Sequence, residues 1–160
     1  MDEIDIIYAQ HFRSVYRYVL SLCRDETTAE DVTSEAFLKA IGAIDKFKGD
    51  CSVKSWLCQI AKNTYFSLLR KSKGETSLDG LDAEIESEVS DFTEKLLDKA
   101  SALEIHRCLR SLEEPYKEVF SLRTFGELSF AEIAELSGKT ENWARVTYHR
   151  AKLKIKEALP

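Results

Sequence analysis

The residues that could do chemistry in this chain are cationic and aromatic. From Lys139 to Pro160 six basic groups, Lys139, Arg145, Arg150, Lys152, Lys154 and Lys156, stand against two acids, Glu141 and Glu157. A second set, Lys54, Lys62, Arg70, Lys71 and Lys73, is interleaved with aromatic residues from Trp56 onward. Guanidinium and ammonium groups bind phosphates, arginine can also clasp guanine through two hydrogen bonds, and aromatic faces stack on unpaired bases. This is recognition chemistry. Nothing comparable supports covalent catalysis: no phosphate-cradling glycine loop, no nucleophile elbow and no HExxH occurs, and the three histidines are isolated. Cys23, Cys51, Cys58 and Cys108 form no CxxC pair, so reduced and mostly buried thiols are expected, with no metal and no cofactor.

Two helices must position the C-terminal cations. Ser129 and Glu132 form a capping box, Phe130, Ile133, Ala134 and Leu136 give the first helix an apolar side, and Gly138 offers the positive φ that ends it. Thr140 can cap the second, in which Ala144, Tyr148, Ala151, Ile155 and Ala158 share one face and leave the other basic. A short capped helix, a glycine turn and a longer basic helix fit a helix-turn-helix, whose second helix enters the DNA major groove, or an ordinary helical hairpin whose basic face is solvated; the preceding chain decides between them.

The net charge of −5 conceals its distribution. Residues 1–44 carry −4, 45–73 carry +5, 74–100 carry −7 and 101–160 carry +1. Two basic surfaces separated by an acidic tether suit a nucleic-acid binder with two contact regions. A 160-residue chain with 44% hydrophobic content can form two small cores, and two prolines, six glycines and no alternating β-branched runs predict an all-α protein. No apolar run is long enough for a membrane span and the N-terminus is acidic, so a cytoplasmic protein that is not membrane-inserted is expected.

In chain order, a first helix is predicted over Ile4–Cys23, with Ile4, Tyr8, Val15, Val19 and Leu22 near its buried side and Arg13 and Arg17 off it. A second, started by Asp25, Thr27 or Thr28, runs to about Ala43 with Ala29, Val32, Ala36 and Ala40 inside and Glu30, Asp31, Ser34 and Glu35 outside. A loop spans Phe47–Ser55. The third helix, from Trp56, buries Trp56, Leu57, Ile60, Ala61, Thr64, Leu68 and Leu69. Residues 74–100 read as an acidic linker, with a possible helix from Phe92. Ala102–Ser111 is amphipathic, and Pro115 opens a helix that ends at Gly126.

Three segments in this order, DETTAEDVTSEAFLKAI, FKGDCSVKSWLCQIAKNTYFSLLRK and LRSLEEPYKEVFSLRTFGELSFAEIAEL with its basic helix, resemble bacterial RNA polymerase sigma factors of the small two-domain, extracytoplasmic-function type. The resemblance implies two helical domains. Residues 1–73 would bind core RNA polymerase and melt the minus-ten promoter element, 74–100 would be the linker, and 101–160 would read the minus-thirty-five element. It assigns Asp31, Ser34 and Glu35 to the polymerase contact and Phe47, Lys48, Lys54, Trp56, Lys62 and Asn63 to minus-ten DNA. Arg145, Val146, His149, Arg150 and Lys154 fall at minus-thirty-five DNA. Ser34 replaces a common glutamine and Ser67 a frequent aspartate, while Trp143 and Val146 replace small polar residues, which implies a promoter sequence of its own. The partners implied are core RNA polymerase, promoter DNA and an anti-sigma factor, with no small-molecule substrate and no enzymatic activity. A stand-alone helix-turn-helix transcriptional regulator would need the C-terminal domain alone and leave the Trp56–Lys71 helix unexplained.

Overall fold

The computed structural model describes residues 3–47, 49, 51–71 and 102–159. The acidic segment, the helix anticipated from Phe92 and the site residue Lys48 lie outside the described residues. Among those described, every regular element is helical: α1 Glu3–Cys23, α2 Glu26–Ala43, a 3-10 turn Ile44–Lys46, α3 Val53–Lys71, α4 Ala102–Ser111, α5 Tyr116–Thr124, α6 Phe130–Ser137 and α7 Glu141–Ala158.

Local chemistry sets the boundaries. Of the three candidate caps for α2, Asp25 takes the position, with an extended backbone and a carboxylate accepting from the Thr28 N–H at 3.0 Å and the Thr28 hydroxyl at 2.5 Å. Helix α3 starts at Val53 rather than Trp56, because Ser52 Oγ accepts the Ser55 N–H at 3.1 Å and Ser52 O accepts the Trp56 N–H at 3.0 Å. Pro115 sits at the N-cap of α5, whose last helical residue is Thr124, one turn residue and Gly126 following. A Cβ at Gly126 would stand 2.9 Å from Leu122 O, so the tight exit from α5 requires glycine.

The first domain packs α1, α2 and α3 around Val15, Val19, Leu20, Val32, Phe37 and Leu57, and the second packs α4 to α7 around Ile105, Phe120, Phe125, Ile133, Tyr148 and Ile155. Each fully buried aliphatic side chain contributes about 1.5–3 kcal/mol relative to exposure. Several expectations are corrected. Arg17 is 6% exposed, because α1 is covered by α5 of the second domain as well as by α2 and α3, and a single apolar stripe cannot reveal a second covered side. Tyr8 is 48% exposed near the start of α1 and stacks on Phe12 at 4.7 Å. Leu68 and Leu69 are exposed because the last turn of α3 runs past its packing partners, and Ala158 is exposed in the last turn of α7.

Candidate nucleic-acid interface

The α6–α7 unit is built as its local signals require. Ser129 Oγ accepts the Glu132 N–H at 3.1 Å while Glu132 Oε1 accepts the Ser129 N–H at 2.8 Å, which satisfies two orphan donors at the start of α6. Gly138 ends that helix at φ 67°, ψ 32°, and Lys139 N–H returns to Ala134 O at 2.9 Å. Thr140 Oγ1 then accepts the Trp143 N–H at 3.0 Å and starts α7. Ala144, Thr147, Tyr148, Ala151 and Ile155 are buried against α5 and α6. That leaves the opposite side to solvent.

On that side Arg145, His149, Arg150 and Lys154 are exposed and Val146 is half-buried. Their steps of three and four residues bring all five to one half of the helix surface. They are not equally available. Arg145 pairs with Glu141 at 3.2 Å and lies 5.3 Å from the Phe130 ring centre, and Lys154 sits 5.0 Å from the Tyr116 ring centre. Among the described residues Arg150 has neither an ion pair nor a ring beneath it. A half-helix of cations around one apolar side chain can read phosphates and base edges together.

In the first domain Phe47 and Trp56 pack ring to ring at 4.7 Å, and both are half-buried. Lys62 and Asn63 follow on α3, Asn63 exposed and Lys62 5.9 Å from the Phe66 ring centre. Both Lys54 and Lys62 reach the second domain. Lys54 Nζ donates to Glu127 O at 2.8 Å, and Lys62 Nζ lies 2.5 Å from Glu118 Oε2. Asp31, Ser34 and Glu35 are exposed on α2, Glu35 pairing with Lys39 at 3.2 Å. Leu38, one helical turn beyond Ser34 and 69% exposed, extends the same face with an apolar group. The site therefore comprises three surfaces: a cationic half of α7, an aromatic-basic region on α3 and its preceding loop, and an acidic strip on α2.

Sequence reasoning missed the groups that join the two domains. Tyr18 is fully buried and donates its hydroxyl to Glu118 Oε1, Ser14 Oγ donates to Glu127 Oε2 at 2.9 Å, and Ser52 Oγ donates to Glu132 Oε2. Burial, then the neighbouring Glu118 carboxylate, raises the Tyr18 phenol well above its usual range. Burial alone would raise the Glu132 carboxyl, but bonds from Ser129 and Ser52 with nearby Lys54 hold it below the ordinary value. Cys58 lies at the same junction, and burial pushes its thiol up to about 12. Among the described residues no group of three or more His, Cys, Asp or Glu could hold a metal, and no helix is long and apolar enough to cross a membrane.

Residues 7–75 match the family Sigma-70 region 2, and residues 102–155 match Sigma-70, region 4. The two matches fall on the two helical domains and occur in the order α1–α3, then α4–α7. The chain belongs to the sigma-70 family of RNA polymerase sigma factors. Its similarity to RNA polymerase sigma factor YlaC of Bacillus subtilis (strain 168) is 28% identity over 98% of this chain and 91% of that protein. ECF RNA polymerase sigma factor BldN of Streptomyces coelicolor is 32% identical over 99% of this chain and 61% of its own length. The fold is also that of CnrH, solved in complex with the cytosolic domain of CnrY, at a TM-score of 0.69 and 21% identity over 96% of this chain and 85% of that one. The sigma factor RpoE, solved with the anti-sigma factor NepR from Bartonella quintana, matches at a TM-score of 0.69 and 17% identity over 99% and 97% of the two chains. This sigma factor is thus a member of the extracytoplasmic-function group that directs RNA polymerase to promoters.

Proposed function

We propose that this sigma factor divides promoter recognition between its domains, residues 1–73 engaging core polymerase and the minus-ten element and residues 101–160 the minus-thirty-five element. The observation that carries the second role is the half-helix of Arg145, Val146, His149, Arg150 and Lys154, presented by a capped turn at the N-terminal end of an exposed helix. Arginine reads guanine O6 and N7 in the major groove, while Val146 offers apolar contact to a thymine methyl. Lysine at the far end of the face meets phosphate and sets register.

In the first domain the Phe47–Trp56 pair provides the stacking surface for an unstacked base of the non-template strand, and Lys48, Lys54, Lys62 and Asn63 follow its backbone. Unstacking costs a few kcal/mol per base, which capture on an aromatic face offsets. Asp31, Ser34 and Glu35, with Leu38 beside them, form a surface for a basic, partly apolar segment of core polymerase. No covalent step is assigned to this chain; polymerase supplies the catalysis and its metal. Work of this kind belongs in the cytoplasm, and the RpoE complex with an anti-sigma factor supports a partner of that class here.

Run-off transcription tests the reading. Purified protein and bacterial core polymerase are combined on a genomic promoter library and transcript starts are sequenced. Starts that share a two-part upstream motif and disappear with Arg150→Ala are expected. Duplex binding by the protein alone without core-dependent initiation would refute the division of labour and leave a stand-alone regulator.

A further inference from the structure

Helix α3 carries an aromatic side chain that its packing does not use. Leu57, Ala61 and Thr64 are buried where the helix meets α1 and α2, while Gln59, Asn63, Phe66 and Arg70 follow one another at steps of four, three and four on the opposite side. All four are exposed, Phe66 by 37%.

The surroundings of that ring are cationic. Lys62 Nζ lies 5.9 Å from the Phe66 ring centre, and Arg70 Nη2 donates to Ser67 Oγ at 3.0 Å, which holds the guanidinium back along the helix beside the neighbour of Phe66. Serine positions the guanidinium without neutralising it, where the aspartate frequent in the family would pair with it. Among the described residues Arg70 forms no ion pair, and residues 51–73 contain five Lys or Arg and no Asp or Glu. Apart from Leu69, the groups near the ring on that side are cations, amides and hydroxyls rather than the apolar neighbours that a protein pocket would engage. One ring among cations and amides is the composition that captures single-stranded nucleic acid: a base lies on the π face, cations take the flanking phosphates and amides bond base edges.

Trp56 stands ten residues earlier on the same helix, about 15 Å away along its axis. A single base cannot lie on both rings. We propose that Phe66 stacks on a second unpaired base of the non-template minus-ten strand, distinct from the one taken at Phe47 and Trp56, with Arg70 and Lys71 on the flanking phosphates. Two captured bases hold the strand extended between them and oppose its return to the duplex. The proposal rests on the minus-ten reading above and adds a second point of capture to it.

The test is competition binding of holoenzyme, assembled from the full chain and bacterial core polymerase, to the non-template minus-ten strand of a promoter recovered by run-off sequencing. Each position in turn is made abasic. Wild type should lose affinity at two separated positions. Phe66→Ala should bind the intact strand about fivefold to 150-fold more weakly, the range that one base–aromatic stack supplies. An abasic site at the partner position of Phe66 should erase the difference between wild type and variant, while an abasic site at the other position should leave it in place. Phe66→Leu keeps an apolar side chain without a π face and should behave as F66A, carrying the same test if F66A fails to fold. Phe66→Trp should restore wild-type binding.

The proposal is overturned if F66A and F66L bind the intact strand as wild type does, or if their loss is the same at every abasic position. Weaker assembly of either variant with core polymerase also overturns it and assigns Phe66 to the protein interface. If wild type is indifferent to an abasic site at every position, the minus-ten reading fails and the role of Phe66 falls with it. Sensitivity at one position that is not coupled to residue 66 overturns the second point of capture and leaves the minus-ten reading intact.

Discussion

Arg145 and Arg150 lie on the same exposed half of α7, yet their neighbours predict unequal contributions to promoter binding. To reach a base edge, Arg145 must leave Glu141, a surface pair contributing about 0.3–0.5 kcal/mol, and the Phe130 ring, contributing about 0.5–1 kcal/mol. Arg150 leaves no such partner among the described residues. A bidentate contact to guanine discriminates by about 1–3 kcal/mol, so Arg150→Ala should lower affinity by about 5-fold to 150-fold. For an equivalent base contact Arg145→Ala should cost about 1 kcal/mol less, roughly a fivefold smaller loss. Glu141→Gln removes the competing acceptor and should raise affinity slightly. The assay is competition binding of core polymerase carrying each variant to promoter DNA, with intact and base-substituted minus-thirty-five elements, at two salt concentrations. Base reading predicts that Arg150→Ala equalises the two elements; phosphate contact predicts uniform weakening and a salt slope reduced by about one. A larger loss for Arg145→Ala than for Arg150→Ala, or uniform weakening by Arg150→Ala, would refute the reasoning.

Gly138→Ala should destabilise the second domain by about 1–2 kcal/mol through its left-handed backbone alone, because nothing lies within 4 Å of the added Cβ. Gly138→Asn should lose less, and urea unfolding should show a lower midpoint with an unchanged slope. Ile133→Ala, at a fully buried position, should lose about 2–5 kcal/mol in the same assay. Glu132 has a folded-state pKa below its ordinary value of 4.5, so its contribution is present above that value and is lost as pH falls through the folded pKa. Acid should therefore accelerate Cys58 alkylation relative to its thiolate fraction in the wild type, and Glu132→Gln should flatten that dependence.

How legible each part was depended on the range of the interactions involved. The α6–α7 unit could be read from sequence because Ser129 and Glu132 are three residues apart, Gly138 acts through its own φ, and Thr140 caps a donor three residues on. Helix α2 likewise follows from Asp25 and its apolar spacing. The junction between domains was illegible for the opposite reason. Ser14 meets Glu127 across 113 residues, Tyr18 meets Glu118 across 100 and Ser52 meets Glu132 across 80, and no local period encodes such pairs. Lys54 and Lys62 read correctly as cations left off the apolar stripe. Their engagement with glutamates of the other domain depends on docking.

The chemistry of the junction also decides what separation leaves behind. Glu132 uses Oε1 for the Ser129 N–H and Oε2 for Ser52, so losing Ser52 leaves the α6 cap in place. Glu118 likewise bonds Tyr18 and Lys62 by its side chain, while its backbone N–H donates to Glu114 Oε1 at 2.9 Å, just ahead of the Pro115 N-cap of its own helix. Most helix packing lies within α1–α3 and within α4–α7, yet the buried apolar residues of both sets form one continuous cluster across the junction. Opening therefore breaks apolar packing as well as bonds between the domains. What it uncovers is mixed: Lys54 and Lys62 with Tyr18, Cys58, Leu122 and Leu136. The cations suit DNA, but the apolar groups raise the free energy of an open chain in water. Core polymerase with promoter DNA can cover both kinds of surface where DNA alone satisfies only the cations, which favours opening on the assembled enzyme over opening on isolated DNA.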